Sequence, residues 1–295
     1  MSPRPLRSLL PLLDSFDAFI LDQWGVLHDG TRAFPHAVDA VERLIAHDKV
    51  VVTLSNSGRR EATNRQQMAA LGLPVARFRA NVTSGEAAVE ALKRRRIGDA
   101  ALVGDHAYLV CRHGDASVID GTGIIRVATP ADADFVLLSG IEGETHGLDD
   151  YLAELAPAMA RRLPIVCTNP DLVAVSPRGN LIAPGAVATA YAERTGMAPL
   201  FVGKPHRPVY ELCLRALPDV ASSRVVAVGD SLAHDVKGAH DAGLATVFCL
   251  DGIHRDAFDL AAGAHANLEA VARLAASHGG VAPDHVMTRL VWNAG

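Results

Sequence analysis

Cysteine is scarce in this 295-residue chain: the four present, Cys111, Cys167, Cys213 and Cys249, are scattered, and no pair has CxxC spacing. That pattern excludes a disulfide-stapled scaffold and a CxxC redox motif. Three of the four sit in apolar surroundings and read as small core residues, and a reducing cytoplasm fits best. None of the thirteen histidines falls in HxxxH or HExxH, so a zinc site built from His and Cys is not expected. Long hydrophobic runs are missing too. Residues 1–13 place Arg4 and Arg7 before Leu9-Leu10-Pro11-Leu12-Leu13, but that run is short, broken by proline and followed by Asp14 and Asp17. It is expected to be neither a signal peptide nor a membrane span. There is no positive excess either: the net charge of −5 gives no global pull toward nucleic acid. The one dense basic run, Lys93-Arg94-Arg95-Arg96, sits where a helix would end, and it reads as a solvated, dipole-matched terminus in preference to a binding patch.

What is present is a globular balance, 49% hydrophobic and 21% charged, over a length that allows two ordinary domains or one domain with a large insertion. Short apolar runs alternate with helical patterns throughout, the signature of βαβ units and a parallel sheet. Strands are predicted at 19–21, 50–54, 100–103, 135–138, 165–167, 200–202, 225–228 and 245–250. Helices are predicted at 37–47 and 61–71, the second closing on Gly72. Thr83-Ser84-Gly85-Glu86 reads as a capping box opening the helix that ends in the basic run. No internal repeat, low-complexity tract or linker marks a domain boundary.

Four predicted strands stop at a residue with chemical use. Residues 19–21 run into Asp22, 50–54 into Ser55-Asn56, 200–202 through Gly203 into Lys204, and 225–228 through Gly229 into Asp230. Beyond the carboxyl ends of parallel strands lies the crevice where α/β proteins bind ligands. Any strand must end in something polar, but a carboxylate, a hydroxyl, a lysine and a second carboxylate suit phosphoryl transfer. A carboxylate nucleophile divides one hydrolysis into two displacements through an aspartyl-phosphate. Asp22 and Asp230 suit Mg²⁺, a hard cation that takes one or two carboxylates. Lys204 would hold the nucleophile and the phosphate, and Ser55 with a neighbouring backbone amide would donate to a phosphate oxygen. Asp235 fits either a metal-supporting carboxylate or a plain helix-start acid.

Asp22-Gln23-Trp24-Gly25-Val26-Leu27, Leu54-Ser55-Asn56-Ser57, Gly203-Lys204-Pro205 and Gly229-Asp230 with Asp235 resemble the four ordered motifs of the haloacid dehalogenase superfamily. The match is narrower with its class IIA branch of p-nitrophenyl, pyridoxal phosphate, nucleotide and sugar phosphatases. The resemblance covers roughly residues 17–250. It implies an α/β fold, a Rossmann-like doubly wound parallel sheet with an inserted α/β cap of the C2 type. Residues 1–83 and 199–295 would form the core and 84–198 the cap. It further implies Asp22 as nucleophile, Ser55 and Asn56 as phosphate-binding, Lys204 as the third-motif lysine, Asp230 as Mg²⁺ ligand and Asp235 in support of the metal site. Thr168-Asn169-Pro170-Asp171 is similar to the cap segment that reaches the active site, which makes Asn169 and Asp171 substrate-contact candidates; an Asn-Pro-Asp turn without a ligand fits equally. A homodimer through the cap is expected on the same ground.

The chain departs from the pattern two residues after Asp22. The phosphatases carry a second aspartate there as general acid and base; here it is Trp24. Indole offers only an N–H donor and does not exchange a proton near neutral pH, although the backbone carbonyl of Trp24 can still ligate Mg²⁺. His28, Asp29 or a cap residue could take over the proton, His28 fitting a turn residue as well. The expected function is a Mg²⁺-dependent phosphatase of a small phosphorylated metabolite. The alternatives are a carbon–halogen hydrolase, whose branch also has an aromatic residue at this position, and a weakly catalytic phosphate-ester binding protein.

Overall fold

All but one of the short apolar runs become strands of two separate parallel sheets. The computed structural model describes residues 3–176 and 179–293, and the chain divides into two compact units: residues 1–55, 62–82 and 210–295, and residues 56–61 and 83–209. The second unit thus takes in residues 56–61 as well and runs eleven residues past the expected interval of 84–198.

The first unit is built on a seven-stranded sheet. Its order across the sheet is Arg4–Leu6, His285–Met287, Ala245–Cys249, Val225–Gly229, Ala18–Asp22, Val50–Ser55 and Ala80–Thr83. Side chains of a strand alternate between faces, and the apolar residues divide accordingly. Phe19, Leu21, Val226, Val228, Val247 and Cys249 join one core with Leu9, Leu12 and Leu44, while Phe248, Leu250 and Val286 join another with Leu232 and Val271. Both faces are therefore covered, as a doubly wound sheet requires. Helix Pro35–Ala46 opens on proline at its first position and buries Ala37, Ala40, Val41 and Leu44, one stripe at helical spacing. A fully buried leucine such as Leu44 contributes roughly 2–3 kcal/mol.

The second unit has its own five-stranded parallel sheet, ordered Leu200–Phe201, Ile165–Cys167, Phe135–Leu138, His106–Val110 and Ile125–Arg126. Leu148–Glu154, Ala156–Ala160 and Pro184–Thr195 pack on it around Tyr151, Leu155, Val187 and Tyr191. Val173–Ser176 and Gly179–Ile182 form a separate antiparallel pair.

Two expectations change. The strand predicted at 100–103 shrinks to Ala100–Ala101, paired antiparallel with Arg96–Ile97. The chain bends away at Gly104, whose φ is +87° and whose missing side chain leaves room for Asp134, while Val103 points into solvent. The strand that enters the five-stranded sheet here is instead His106–Val110, between Phe135–Leu138 and Ile125–Arg126. The capping box is half formed. Thr83 Oγ1 accepts from Glu86 N at 3.0 Å, but the Glu86 carboxylate turns to Arg60 Nε at 2.8 Å, and Thr83 Oγ1 donates to the Arg59 carbonyl at 2.7 Å. A half-buried ion pair outcompetes the reciprocal cap.

Candidate functional site

The site of the first unit lies at the topological switch of its sheet. Ala18–Asp22 is followed in sequence by strands on one side and flanked on the other by Val225–Gly229, which the chain reaches only after the second unit. Ligands bind at such a point, beyond the carboxyl ends of the strands. Asp22 closes its strand and pairs with Leu54, so Ser55, one residue further, closes the neighbouring strand; Asp230 follows Gly229 directly. Asp235 sits in a wide turn, Leu232–Val236, in which both Asp235 N and Val236 N reach the Ser231 carbonyl.

Asp22, Asp230 and Asp235 are all buried, and each offers a carboxylate oxygen within 4.8 Å of the others'. Backbone amides orient two of them: Ile253 N donates to Asp230 Oδ2 at 2.8 Å, and Ser231 N donates to Asp235 Oδ2 at 3.0 Å. Asp235 thus serves the start of its turn and the cluster at once. The combined field reaches the Cys249 thiol, whose pKa burial raises well above its ordinary value, with Asp230, Asp235 and Asp22 adding to the effect. Three like charges this close call for a cation, and an all-oxygen donor set of carboxylates fits a hard divalent ion such as Mg²⁺.

Glycines make room for the carboxylates. A side chain on Gly25 would stand 1.9 Å from Asp230 Oδ2, one on Gly252 2.2 Å from the same atom, and one on Gly229 2.2 Å from the Asp235 side chain. Gly25 also has a φ of +78°, so both space and backbone demand glycine there. The loop it begins is closed by Leu27 N and His28 N donating to the Gln23 carbonyl and by Gly25 N donating to the His28 carbonyl. Trp24 lies on that loop with 53% of its surface exposed, edge-on to His28 at 5.7 Å and resting over Gly30.

Neither His28 nor Asp29 is poised to exchange a proton near neutral pH. His28 is buried, and Gly30 N donates to its Nδ1 at 3.0 Å, which leaves the proton on Nε2. Burial lowers its pKa to about 4. Asp29 accepts on Oδ1 from Thr31 N, Thr31 Oγ1 and Arg32 N, and these hydrogen bonds hold its carboxyl below the usual carboxylate range, so it stays ionised. The His28 shift has a measurable sign. Unfolded histidine, at about 6.5, binds a proton that the folded residue refuses until about pH 4, so stability should be full above pH 6.5 and fall between 6.5 and 4. The loss expected from His28 is roughly 2–3 kcal/mol. Melting temperature measured across that range should drop less steeply in His28→Asn, whose amide oxygen can still accept from Gly30 N; an unchanged slope would assign the acid sensitivity elsewhere.

The remaining predicted site residues belong to the second unit. Asn56 Oδ1 accepts from Lys204 N at 2.6 Å, while Asn56 Nδ2 donates to the Lys204 carbonyl at 3.1 Å and to Asp171 Oδ1 at 2.9 Å. The structure therefore brings Asn56, Lys204 and Asp171 together, and the Asn56 amide clasps the Lys204 peptide. Gly203 allows this, since a side chain there would come within 2.6 Å of Asn56 Oδ1. Asn169 Oδ1 accepts from Asp171 N at 2.8 Å, the local bond of an Asx turn.

Sequence reasoning did not anticipate Gly252, the Ile253 amide or the Tyr210 hydroxyl, which donates to the His234 and Asp235 carbonyls at 3.2 Å each. No motif marks them; only the return of the chain to the sheet places them there. It also passed over Gln23, although that residue lies inside the first motif.

Comparison with known proteins agrees with this geometry. Residues 19–125 match the family described as haloacid dehalogenase-like hydrolase, and residues 201–288 match a second family described as HAD-hydrolase-like. A dihydroxyacetone phosphatase of Corynebacterium glutamicum is 28% identical over 81% of this chain and 83% of its own length. Human chronophin is 28% identical over 84% and 86%. A haloacid dehalogenase-like hydrolase structure from Brucella suis superposes with a TM-score of 0.78 at 27% identity, covering 99% of this chain and all of the other. A glycerol phosphate phosphatase of Mycobacterium tuberculosis, solved with magnesium, gives a TM-score of 0.67 at 26% identity over 82% and 70%. The chain belongs to the haloacid dehalogenase-like hydrolases, in their class IIA branch.

Proposed function

We propose that this protein is a Mg²⁺-dependent phosphatase of a small phosphorylated metabolite, with Asp22 as nucleophile and no side chain at position 24 able to move a proton. The observation that carries the reading is the buried trio Asp22, Asp230 and Asp235 at the carboxyl ends of adjacent parallel strands. An Asp22 oxygen attacks phosphorus and the bond to the leaving oxygen breaks, giving an aspartyl-phosphate and an oxyanion that takes its proton from solvent; water then attacks the same phosphorus, gives its proton to solvent, and releases inorganic phosphate with Asp22 as carboxylate. Mg²⁺, held by Asp22, Asp230 and the Trp24 backbone carbonyl with Asp235 in support, would offset the negative charge between nucleophile and phosphate. Lys204, the Ser55 hydroxyl and the main-chain amide of Asn56 are assigned to the phosphate oxygens, the Asn56 side chain being engaged with the Lys204 peptide. Residues 1–83 and 199–295 are assigned as catalytic core and residues 84–198 as substrate-selecting cap, with Asn169 and Asp171 as its contacts.

The phosphatases among the relatives support this class of reaction. The scatter of the four cysteines along the chain, with no CxxC spacing, supports a reducing, cytoplasmic setting. A homodimer through the second unit belongs to the same reading and is read by sedimentation velocity. A carbon–halogen hydrolase is disfavoured because such chemistry needs no acidic metal pocket.

Without a proton donor, leaving groups that need none should react best. General acid help is worth about 10²–10⁴-fold, so p-nitrophenyl phosphate or an acyl phosphate should exceed a sugar phosphate in kcat/KM by that order. A panel of phosphate esters with Mg²⁺ or with chelator tests the reading. Mg²⁺-dependent phosphate release is the expected result. Chloride release from a 2-haloacid in chelator would establish the dehalogenase instead, and tight ester binding without turnover would establish a binding protein.

A further inference from the structure

The residue between Asp22 and Trp24 is anchored in a way that the phosphatase reading does not require. Gln23 is buried, as are Thr53, Asn64 and Asn81, and these four side chains form a hydrogen-bonded cluster inside the first unit. Gln23 Nε2 donates to Asn81 Oδ1 at 2.8 Å and to Asn64 Oδ1 at 3.0 Å. Asn64 Nδ2 returns a bond to Gln23 Oε1 at 3.0 Å, Asn81 Nδ2 donates to Asn64 Oδ1 at 2.8 Å, and Thr53 Oγ1 donates to Asn81 Oδ1 at 2.6 Å. The three amide orientations are coupled, because turning any one of them over alone would set donor against donor or acceptor against acceptor.

The members come from four elements: the residue after strand Ala18–Asp22, strand Val50–Ser55 two positions before Ser55, strand Ala80–Thr83, and helix Glu61–Ala70. The main chain of Gln23 is fixed as well, its carbonyl accepting from Leu27 N at 2.8 Å and from His28 N at 3.1 Å. Gln23 is thereby held at its side-chain amide and at its carbonyl. Burying three amides and a hydroxyl offers no stability that apolar residues of the same size would not supply, so what the ring adds is a fixed orientation.

We propose that Gln23, Asn64, Asn81 and Thr53 form a positioning ring that fixes the peptide between Asp22 and Trp24, and with it the aim of the nucleophile and of the Trp24 carbonyl. This rests on the reading of Asp22 as nucleophile. None of the four touches substrate; they act through the main chain that carries Asp22.

Asn64→Leu, which removes the donor to Gln23 Oε1, tests it against Met68→Ala one turn along the same buried face of the helix. Met68→Ala should lower melting temperature and leave kcat of the folded enzyme unchanged. Asn64→Leu should lower kcat about 10–100-fold with KM within about threefold, and should reduce the rise in melting temperature that Mg²⁺ produces in the parent protein. Thr53→Val, which removes a single hydroxyl, should show the same split at about 3–10-fold and serves where Asn64→Leu does not fold. If either variant lost stability but kept both kcat and the Mg²⁺ response, the ring would be structural only and the proposal overturned. Should the parent protein release no phosphate, the phosphatase reading fails by itself, while the Mg²⁺-induced shift, measured without substrate, still decides the positioning role.

Discussion

Asp22→Asn should abolish Mg²⁺-dependent phosphate release, with a fall in kcat on the order of 10⁴-fold or more. The substitution preserves shape and keeps one oxygen that can face a cation. It removes the negative charge and with it the nucleophilic oxygen. The surroundings should tolerate the change: Asp22 closes a strand whose pairing to Val50–Ser55 and Val225–Gly229 runs through the backbone, so register and core are untouched. The effect should therefore fall on kcat while the fold, read by circular dichroism and melting temperature, is retained. A rapid-quench experiment sharpens the test, because the parent protein should pass through a phosphorylated state that an acid quench traps on Asp22 and that the variant never forms. Residual turnover within tenfold of the parent would remove Asp22 from the nucleophile role and with it the aspartyl-phosphate route.

The convergence of Asp22 and Asp230 could be read before the fold was known, because strand ends are legible. Asp22, Ser55 and Asp230 each follow a largely apolar run, and parallel strands bring such ends to one edge by geometry alone. What the sequence withheld depends on distant chain segments. Gly25 stood in a motif, but its need for glycine comes from Asp230, some two hundred residues later, pressing on the place of its side chain. Nothing in the sequence marks Gln23 beyond its place in the first motif, and only the convergence of Asn64 and Asn81 shows it to be interior. In the second unit, His106–Val110 escaped notice because its alternation starts on a histidine and half-exposes a tyrosine, whereas the apolar run at 100–103 drew attention and then turned at Gly104. Period and composition report burial on one face; they do not report which neighbour fills the space beside it.

Trp24→Asp should raise kcat on alkyl phosphates by about 10²–10⁴-fold while changing p-nitrophenyl phosphate far less. The difference follows from where the proton is needed. An alkoxide leaves poorly unless it is protonated as the bond to phosphorus breaks, whereas p-nitrophenolate is stable as it departs. The introduced carboxyl would give its proton to the leaving oxygen in the first displacement and, as carboxylate, take one from the attacking water in the second. The two nearest alternatives are spent, His28 on the Gly30 amide and Asp29 on Thr31 and Arg32. The loop should survive the exchange, since its closure rests on Gly25 N, Leu27 N and His28 N rather than on the indole, which is half exposed over Gly30. The ratio of kcat/KM for p-nitrophenyl phosphate to that for a sugar phosphate, measured in parent and variant, is the readout, and it should collapse toward one in the variant. An unchanged ratio would mean that another residue already delivers the proton, and the search would move to the second unit, where Asp171 stands on the Asn56 amide.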